Sequence, residues 1–593
     1  MALSQQNRRL AVSTPLGKDV LVLSGFSGRE EISRPFRYQL DMLSEKTDIT
    51  PQSLVGKTVS WSVQYPDQEP RYFSGIISRF SAGGKLMRGT RNYRAEIVPW
   101  LWLLTRTANC RMFQNKSVPD IIKAIFDAYG FTDYQLNLKG THSPWEYCVQ
   151  YRETAFNFIS RLMEQEGIFY YFKHENGKHT MILCDQKSGY ADTMPGPLDS
   201  NHVFEWEHQY EFRTGKWSQT DYNFATPSTN LFTTTPTTLD LPDSSKFEMF
   251  DYPGDYEIKG DGDGLTRLRM EEDEAAFNVV TGSSDIHDLS AGVKFKLDDH
   301  DFESEAATGY VVTAIQHNAE ETPYTTTTIT GSYSNVFTCI PDTVTFRTPR
   351  ATPKPIVSGP QTAVVVGPKG EEIYTDKYGR VKVQFFWDRE GKKDENSSCW
   401  IRVAENWAGK NWGVIFNPRI GQEVIVEFLE GDPDRPIITG RVYNAEQMPP
   451  YDLPANQTQS TIKTRSSKGG GTENFNELRF EDKKGSEEIY FHAEQDFNRV
   501  VENNDTLKVG SPQAKDGSQT IEIYKDRTET IKTGNEKVTV EKGNRDVIIS
   551  MGNESLSIKM GNQTTKLDLG ASSTEAMQSI ELKVGQSSIK IDQ

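Results

Sequence analysis

Hydrophobic and polar positions alternate along most of this 593-residue chain, and helical spacing is rare. In the first hundred residues, 20–23, 36–40, 58–63, 71–77 and 93–98 alternate or run β-branched and aromatic. Gly, Pro and Asp separate them, which predicts strands and a closed or nearly closed antiparallel barrel. Two helical stripes follow. Ile121, Ile122, Ile125, Phe126 and Tyr129 share one face; Ser117 caps it, Pro119 and Asp120 lie in its first turn, and Gly130 stops it. Phe158, Ile159, Leu162 and Met163 make the second, from Thr154 to Gly167. Segments 168–172 and 180–183 then pair across Glu175-Asn176-Gly177. Strands resume over about 200–345, including the Thr-rich 324–330, with one short helix over 265–277. Pro349, Pro353, Pro355 and Pro360 mark a linker. Strands at 363–366, 380–387, 399–403, 413–416, 423–429 and 437–442 fit a small OB-type barrel. A second linker holds Pro449, Pro450 and Pro454.

The last sixty residues keep a stricter beat. Gly534, Gly543, Gly552, Gly561 and Gly570 fall nine residues apart, and Asn follows four of them. Between them Val547, Ile549 and Met551, then Leu556, Ile558 and Met560, then Thr565, Leu567 and Leu569 alternate with polar residues. Period two means a strand with one buried face, and Gly-Asn means a corner with positive φ. Short strands joined by sharp corners at a fixed period make a β-solenoid. Three inward side chains per unit cannot close a dry core in one chain, whereas three copies wound on a common axis supply three walls. The expectation is a homotrimeric needle over 455–593. Its core is Val547, Ile549, Met551, Leu556, Ile558, Met560, Leu567 and Leu569, and its corners are the five glycines. At about 4.7 Å per strand, some fifteen strands would reach roughly 70 Å.

Composition narrows the classes of function. Hydrophobic residues are 36% and no apolar run approaches a membrane-spanning length. Met1 to Leu10 lacks an apolar signal core, so the reading is synthesis in the cytoplasm without a Sec signal. The net charge of −17 argues against nucleic acid as partner. Cys110, Cys148, Cys184, Cys339 and Cys399 are scattered and odd in number, which suits buried thiols better than a disulfide frame or zinc site.

Candidate chemistry finds little support. His174 and His179 flank a hairpin turn and read as surface residues, and no H-E-x-x-H exists. Asp261-Gly262-Asp263-Gly264 suggests a Ca²⁺ loop, but Leu265 and Thr266 stand where an acid and a Gly are needed, so it reads as a turn. Gly469-Gly470-Gly471 lacks the Lys-Ser/Thr of a phosphate loop, and Ser24-Gly25-Phe26-Ser27-Gly28 lacks the nucleophile-elbow spacing. Glu430-Gly431-Asp432-Pro433-Asp434 reads as a tight turn. Phe385, Phe386, Trp387, Trp400, Trp407 and Trp412 could stack a ligand, but read as barrel core and seams. The expectation is no catalytic residue, no metal site and no cofactor.

Three long segments carry a family resemblance: "YRETAFNFISRLMEQEGIFYYFKHENGKHTMIL" at 151–183, "DKYGRVKVQFFWDREGKKDENSSCWIRVAENWAGKNWGVIFNPRIGQEVIVEFLEGDPDRPIITGRVYN" at 376–444, and "NELRFEDKKGSEEIYFHAEQDFNRVVEN" at 476–503. Shorter echoes are "RPFRYQL" at 34–40 and "DYPGDY" at 251–256. In this order they resemble the VgrG family, the spike of the bacterial type VI secretion system. The resemblance implies a mainly β chain with a minor α/β part. Its pieces would be a phage-hub-like β-barrel base over 1–350, with helices near 117–130 and 154–167, an OB domain over 361–445, and a triple-stranded β-helix over 455–593. It implies an Hcp tube and baseplate at the wide end, a PAAR-type tip protein at Ile589 and Ile591, and effectors or adaptors as cargo. Export would be by the contractile apparatus, to the extracellular space or target cell, with the membrane crossed mechanically. About 20 residues between Asn444 and the needle leave no room for a lysozyme, and Gln593 follows a strand directly, so a plain spike is expected. The alternatives are a phage or other contractile-particle hub, a cell-wall hydrolase on the same fold, and an adhesin.

Overall fold

A computed structural model describes residues 3–65, 69–85, 89–194, 198, 201–297, 303–306, 308–321, 324, 331–513, 516–583 and 585. The chain divides into Met1–Phe497 and Asn498–Gln593.

The first hundred residues form a nearly closed barrel: its first and last strands lie side by side without a ladder, and Gln5 Oε1 bridges them by accepting from the Val12 and Leu23 N–H groups. Their strands run in the order Leu10–Ser13, Thr58–Val63, Arg71–Lys85, Arg91–Val98, Arg34–Ser44, Val22–Glu31. The sheet then continues through Gly309–Glu320, Ser332–Pro341, Asn278–Ser284 and Val203–Tyr210. The junction is the antiparallel pair in which Phe26 faces Ala319 and Glu30 faces Ile315. Two cores sit along this one sheet. Phe26, Tyr38, Trp61 and Phe73 anchor the first, with Trp61 stacked on Phe73 at 5.3 Å. Val280, Phe295, Tyr310, Ile315 and Phe337 anchor the second. Strands three hundred residues apart pair because each has one apolar face to cover.

Helices α1 (Val118–Ala128) and α2 (Ala155–Glu166) follow their sequence signals. Ser117 and Asp120 form a reciprocal capping box, and Thr154 accepts the Asn157 N–H. Gly167 ends α2 in the left-handed region. Strands Phe169–Glu175 and Lys178–Cys184 form the expected hairpin, and Tyr134–Asn137 joins parallel to the second.

This hairpin is not a surface feature. His174 and His179, cross-strand partners, are both buried because their face of the hairpin packs on the first core, with His174 on Phe36 at 4.8 Å, while turn residues 175–178 stay exposed. Each ring accepts a backbone N–H, from Ser74 to His174 Nδ1 and from Trp100 to His179 Nε2. The Asp261–Gly264 run is likewise not a turn. It lies in α3 (Lys259–Glu274), which begins six residues before the expected helix. A side chain at Gly262 would meet the Tyr256 ring at 2.5 Å, so close packing of that turn, rather than calcium, accounts for the glycine.

Strands Gln361–Val366, Lys382–Phe385, Arg402–Val403, Glu423–Phe428 and Pro436–Val442 form a five-stranded sheet. Reciprocal hydrogen bonds between Val381 and Ile401 (3.0 and 2.8 Å) close it into a barrel of order 1-2-3-5-4-1, with the third and fifth strands parallel. Among the barrel aromatics Phe385 is buried, but Phe386, Trp407 and Trp412 are exposed, so half of that set does not fill the core. The expected strand at 413–416 is reduced to Trp412–Gly413 in a two-stranded hairpin. Tyr324 is in a turn, and 325–330 lies outside the described residues.

Candidate functional site

Two features organise the chain. The first is a charged joint between the base and the barrel. The barrel core extends into Tyr147 and Val149 of strand Trp145–Thr154. The Val149 N–H donates to Asp434 Oδ1 at 2.6 Å. Lys354, in the Pro-rich linker, sits 2.7 Å from Asp432 and 2.9 Å from Asp434. Arg435 reaches back to Asp221 and Asp255 of the base, at 2.5 and 3.5 Å. Burial alone would depress the Lys354 pKa, but Asp434, Asp255 and Asp432 raise it, so the ammonium stays charged. The same burial raises Asp255. The 430–434 turn is therefore more than a connection: its aspartates bind two segments distant in sequence. Sequence reasoning missed this set, because Asp-Pro-Asp in a turn is explained locally and nothing local announces a partner.

The second feature is the glycine-cornered segment, preceded by a small antiparallel sheet. At the head of the segment expected to form the needle, Gln459–Lys463, Glu477–Glu481 and Glu488–His492 form three antiparallel strands. Ile462, Leu478 and Phe491 are cross-strand partners, as are Ser460, Phe480 and Ile489. They share one face, and Ile462, Phe480, Ile489 and Phe491 are exposed on it. The opposite face carries Glu477, Arg479 and Tyr490, and Tyr451 donates to Glu477 Oε1.

Beyond Asn498 the chain is extended between bends. Gly534, Gly543, Gly552, Gly561 and Gly570 have φ of 124°, 112°, 132°, 130° and 129°. Only glycine adopts such values freely. The chain bends at 541–543, 550–552, 559–561 and 568–570. Local geometry repeats with the sequence: an added Cβ at Gly552 would lie 3.7 Å from Ile549 Cγ2, and at Gly561 3.7 Å from Ile558 Cγ2. Lys566 and Asp568 pair at 2.7 Å across the polar side, with Leu567 between them. Among the described residues of 498–585 no strand ladder forms and no residue is buried. Val547, Ile549, Met551, Leu556, Ile558, Met560, Leu567 and Leu569 are all exposed within one chain, and nothing in that chain covers them. Ile589 and Ile591 lie outside the described residues.

Comparison with known proteins now bears on this architecture. Residues 29–323 match the phage tail baseplate hub (GPD) family, 362–443 the type VI secretion system/phage-baseplate injector OB domain, and 460–577 the bacteriophage T4 gp5 C-terminal trimerisation domain. Type VI secretion system spike protein VgrG1a of Pseudomonas aeruginosa is 47% identical over 522 residues, 85% of this chain and 80% of that protein. VgrG1b of the same organism is 46% identical over 528 residues, 87% of this chain and 71% of that protein. The actin cross-linking toxin VgrG1 of Vibrio cholerae is 36% identical, and this chain spans 50% of its length. Among solved structures, the E. coli c3393 protein, a type VI component similar to T4 tail proteins gp27 and gp5, aligns with TM-score 0.53 at 22% identity, over 73% of this chain and all of that one. That likeness shows the fold: mainly β, with an OB barrel and a gp5-like arrangement. By its 46–47% identity to these spike proteins over most of both chains, this chain belongs to the VgrG family of type VI secretion system spike proteins.

Proposed function

We propose that three copies of this chain wind residues 498–593 into a β-helical needle, and that the trimer acts as a puncturing spike carried on a contractile apparatus. One observation carries the reading. Among the described residues of 498–585, a segment with matched apolar columns and glycine corners forms no strand ladder and leaves its column side chains exposed within its own chain. Burying each column side chain is worth about 1.5–3 kcal/mol, and other copies are the partner that repeats at the same period. The trimerisation-domain match over 460–577 supports three copies. The mechanism then needs no catalytic residue: cross-strand hydrogen bonds along the needle resist shear, and a closed three-chain prism has few free edges. A tube protein of the Hcp kind and a baseplate at the base, a PAAR-type protein around Ile589 and Ile591, and cargo effectors complete the assembly. The apparatus would carry the spike out of the producing cell. Among the described residues no helix is long and apolar enough to cross a membrane.

Native mass by light scattering tests the assembly. The expected value is three times the 67.2 kDa of one chain. Ile549→Asp with Ile558→Asp would place six carboxylates in the prism per trimer, and the expected result is a single-chain mass with loss of contact-dependent killing. A variant that stays trimeric and active would overturn the core assignment.

A further inference from the structure

The column three residues before each corner glycine differs from the other two apolar columns. Ile531, Val540, Ile549, Ile558 and Leu567 stand nine apart and are apolar without exception. Their exposure in one chain is 46–54%. Val538, Val547 and Leu556 form a second column, continued by Thr565. The third runs Thr533, Lys542, Met551, Met560, Leu569 and Gln578. Met551, Met560 and Leu569 are 96, 95 and 97% exposed, and each lies inside a bend rather than on a straight strand.

Resting on the trimer proposed above, we infer that the surface by which the copies grip one another is the first two columns alone, and that Met551, Met560 and Leu569 form an outward ridge along the needle's edges. Two arguments converge. Lys542 occupies the ridge column, and a dry three-fold core would there bury three ammonium groups without a counter-charge. The bend moves the third residue out of the alternation that would otherwise turn it inward with Ile549 and Ile558. Ile549 and Ile558 meanwhile lie against the corner glycines, 3.7 Å from a Cβ built there, which places that column on the inner side of the corner. The needle core is thus two residues wide per strand.

Thioether chemistry reads this directly. Hydrogen peroxide transfers one oxygen to an accessible Met sulfur, giving the sulfoxide and water. The full-length protein is exposed to dilute peroxide while its native mass is followed, and peptide mass spectrometry times each site. Met577, in the polar column of Lys559 and Asp568 and 105% exposed, serves as the reference. The expected result is oxidation of Met551 and Met560 within about threefold of the Met577 rate, with the trimer intact. The double variant Met551→Glu, Met560→Glu is expected to remain trimeric. Protection of both methionines by tenfold or more in an intact trimer, or dissociation of the double variant, overturns the column assignment and leaves the trimer standing. A single-chain mass for the untreated protein overturns both.

Discussion

Glu30 shows how a buried charge is kept in this base. Its side chain accepts from the Tyr38 hydroxyl and faces His174 Nε2 at 3.5 Å and His317 Nε2 at 3.6 Å. The Tyr38 ring can lie there because residue 28 is glycine; a Cβ would meet it at 2.1 Å. Burial would raise the Glu30 pKa, but His317, His174 and Arg71 outweigh it and hold it at about 2. Burial lowers His174 to about 4 and His179 to about 3. The sign of the linkage follows. Between pH 6.5 and 3 the unfolded chain takes up protons on these histidines that the folded base refuses. Below 4.5 the unfolded chain also protonates Glu30 first. Stability should therefore fall steadily as pH drops from 6.5, and urea midpoints across pH 7 to 4 check it. His174→Gln should flatten the upper part of that slope. At the corner glycines the expected cost is steric. Gly552→Ala and Gly561→Ala force a side chain into backbone that glycine nearly monopolises, at about 1–3 kcal/mol per site. Thermal melting of the assembled protein should show two separate and additive losses, whereas equal losses from Asn553→Ala would count against the corner role.

At the scale of elements, local signals and tertiary demands part company. Helices α1 and α2 begin and end where Ser117, Thr154 and Gly167 dictate, since capping is a property of neighbouring residues. Helix α3 does not obey such signals. Three glycines in its first turns disfavour helix, yet Gly262 packs on Tyr256 and Thr266 donates to the Gly262 carbonyl, so packing overrides propensity. The 430–434 turn is the functional counterpart. Asp434→Ala removes the acceptor for Val149 N–H and one counter-charge of Lys354. The OB barrel should keep its own fold, because its closing bonds lie at Val381 and Ile401, but lose its seat on the base. Limited proteolysis should then cut the 349–360 linker faster than in the unaltered protein; an unchanged rate would show the joint to be dispensable.

For the whole molecule, the division at Phe497 separates two kinds of stability. Residues before it bury aromatic and aliphatic cores within one chain. The described residues after it bury nothing, so their order depends on protomer concentration as well as sequence. Dilution should accordingly melt the needle at lower temperature while leaving the base transition in place, which calorimetry at two concentrations separates.

The nine-residue beat, the two capped helices, the OB strand pattern and the family segments were legible in the sequence, because each arises from contacts between near neighbours or from strict repetition. The pairing of Val22–Glu31 with Gly309–Glu320 was not, nor the burial of His174 and His179, nor the ion cluster of Lys354, Asp434, Arg435 and Asp221. Those depend on which distant strand covers which apolar face, and a chain read in order carries no term for the distance between residues three hundred positions apart.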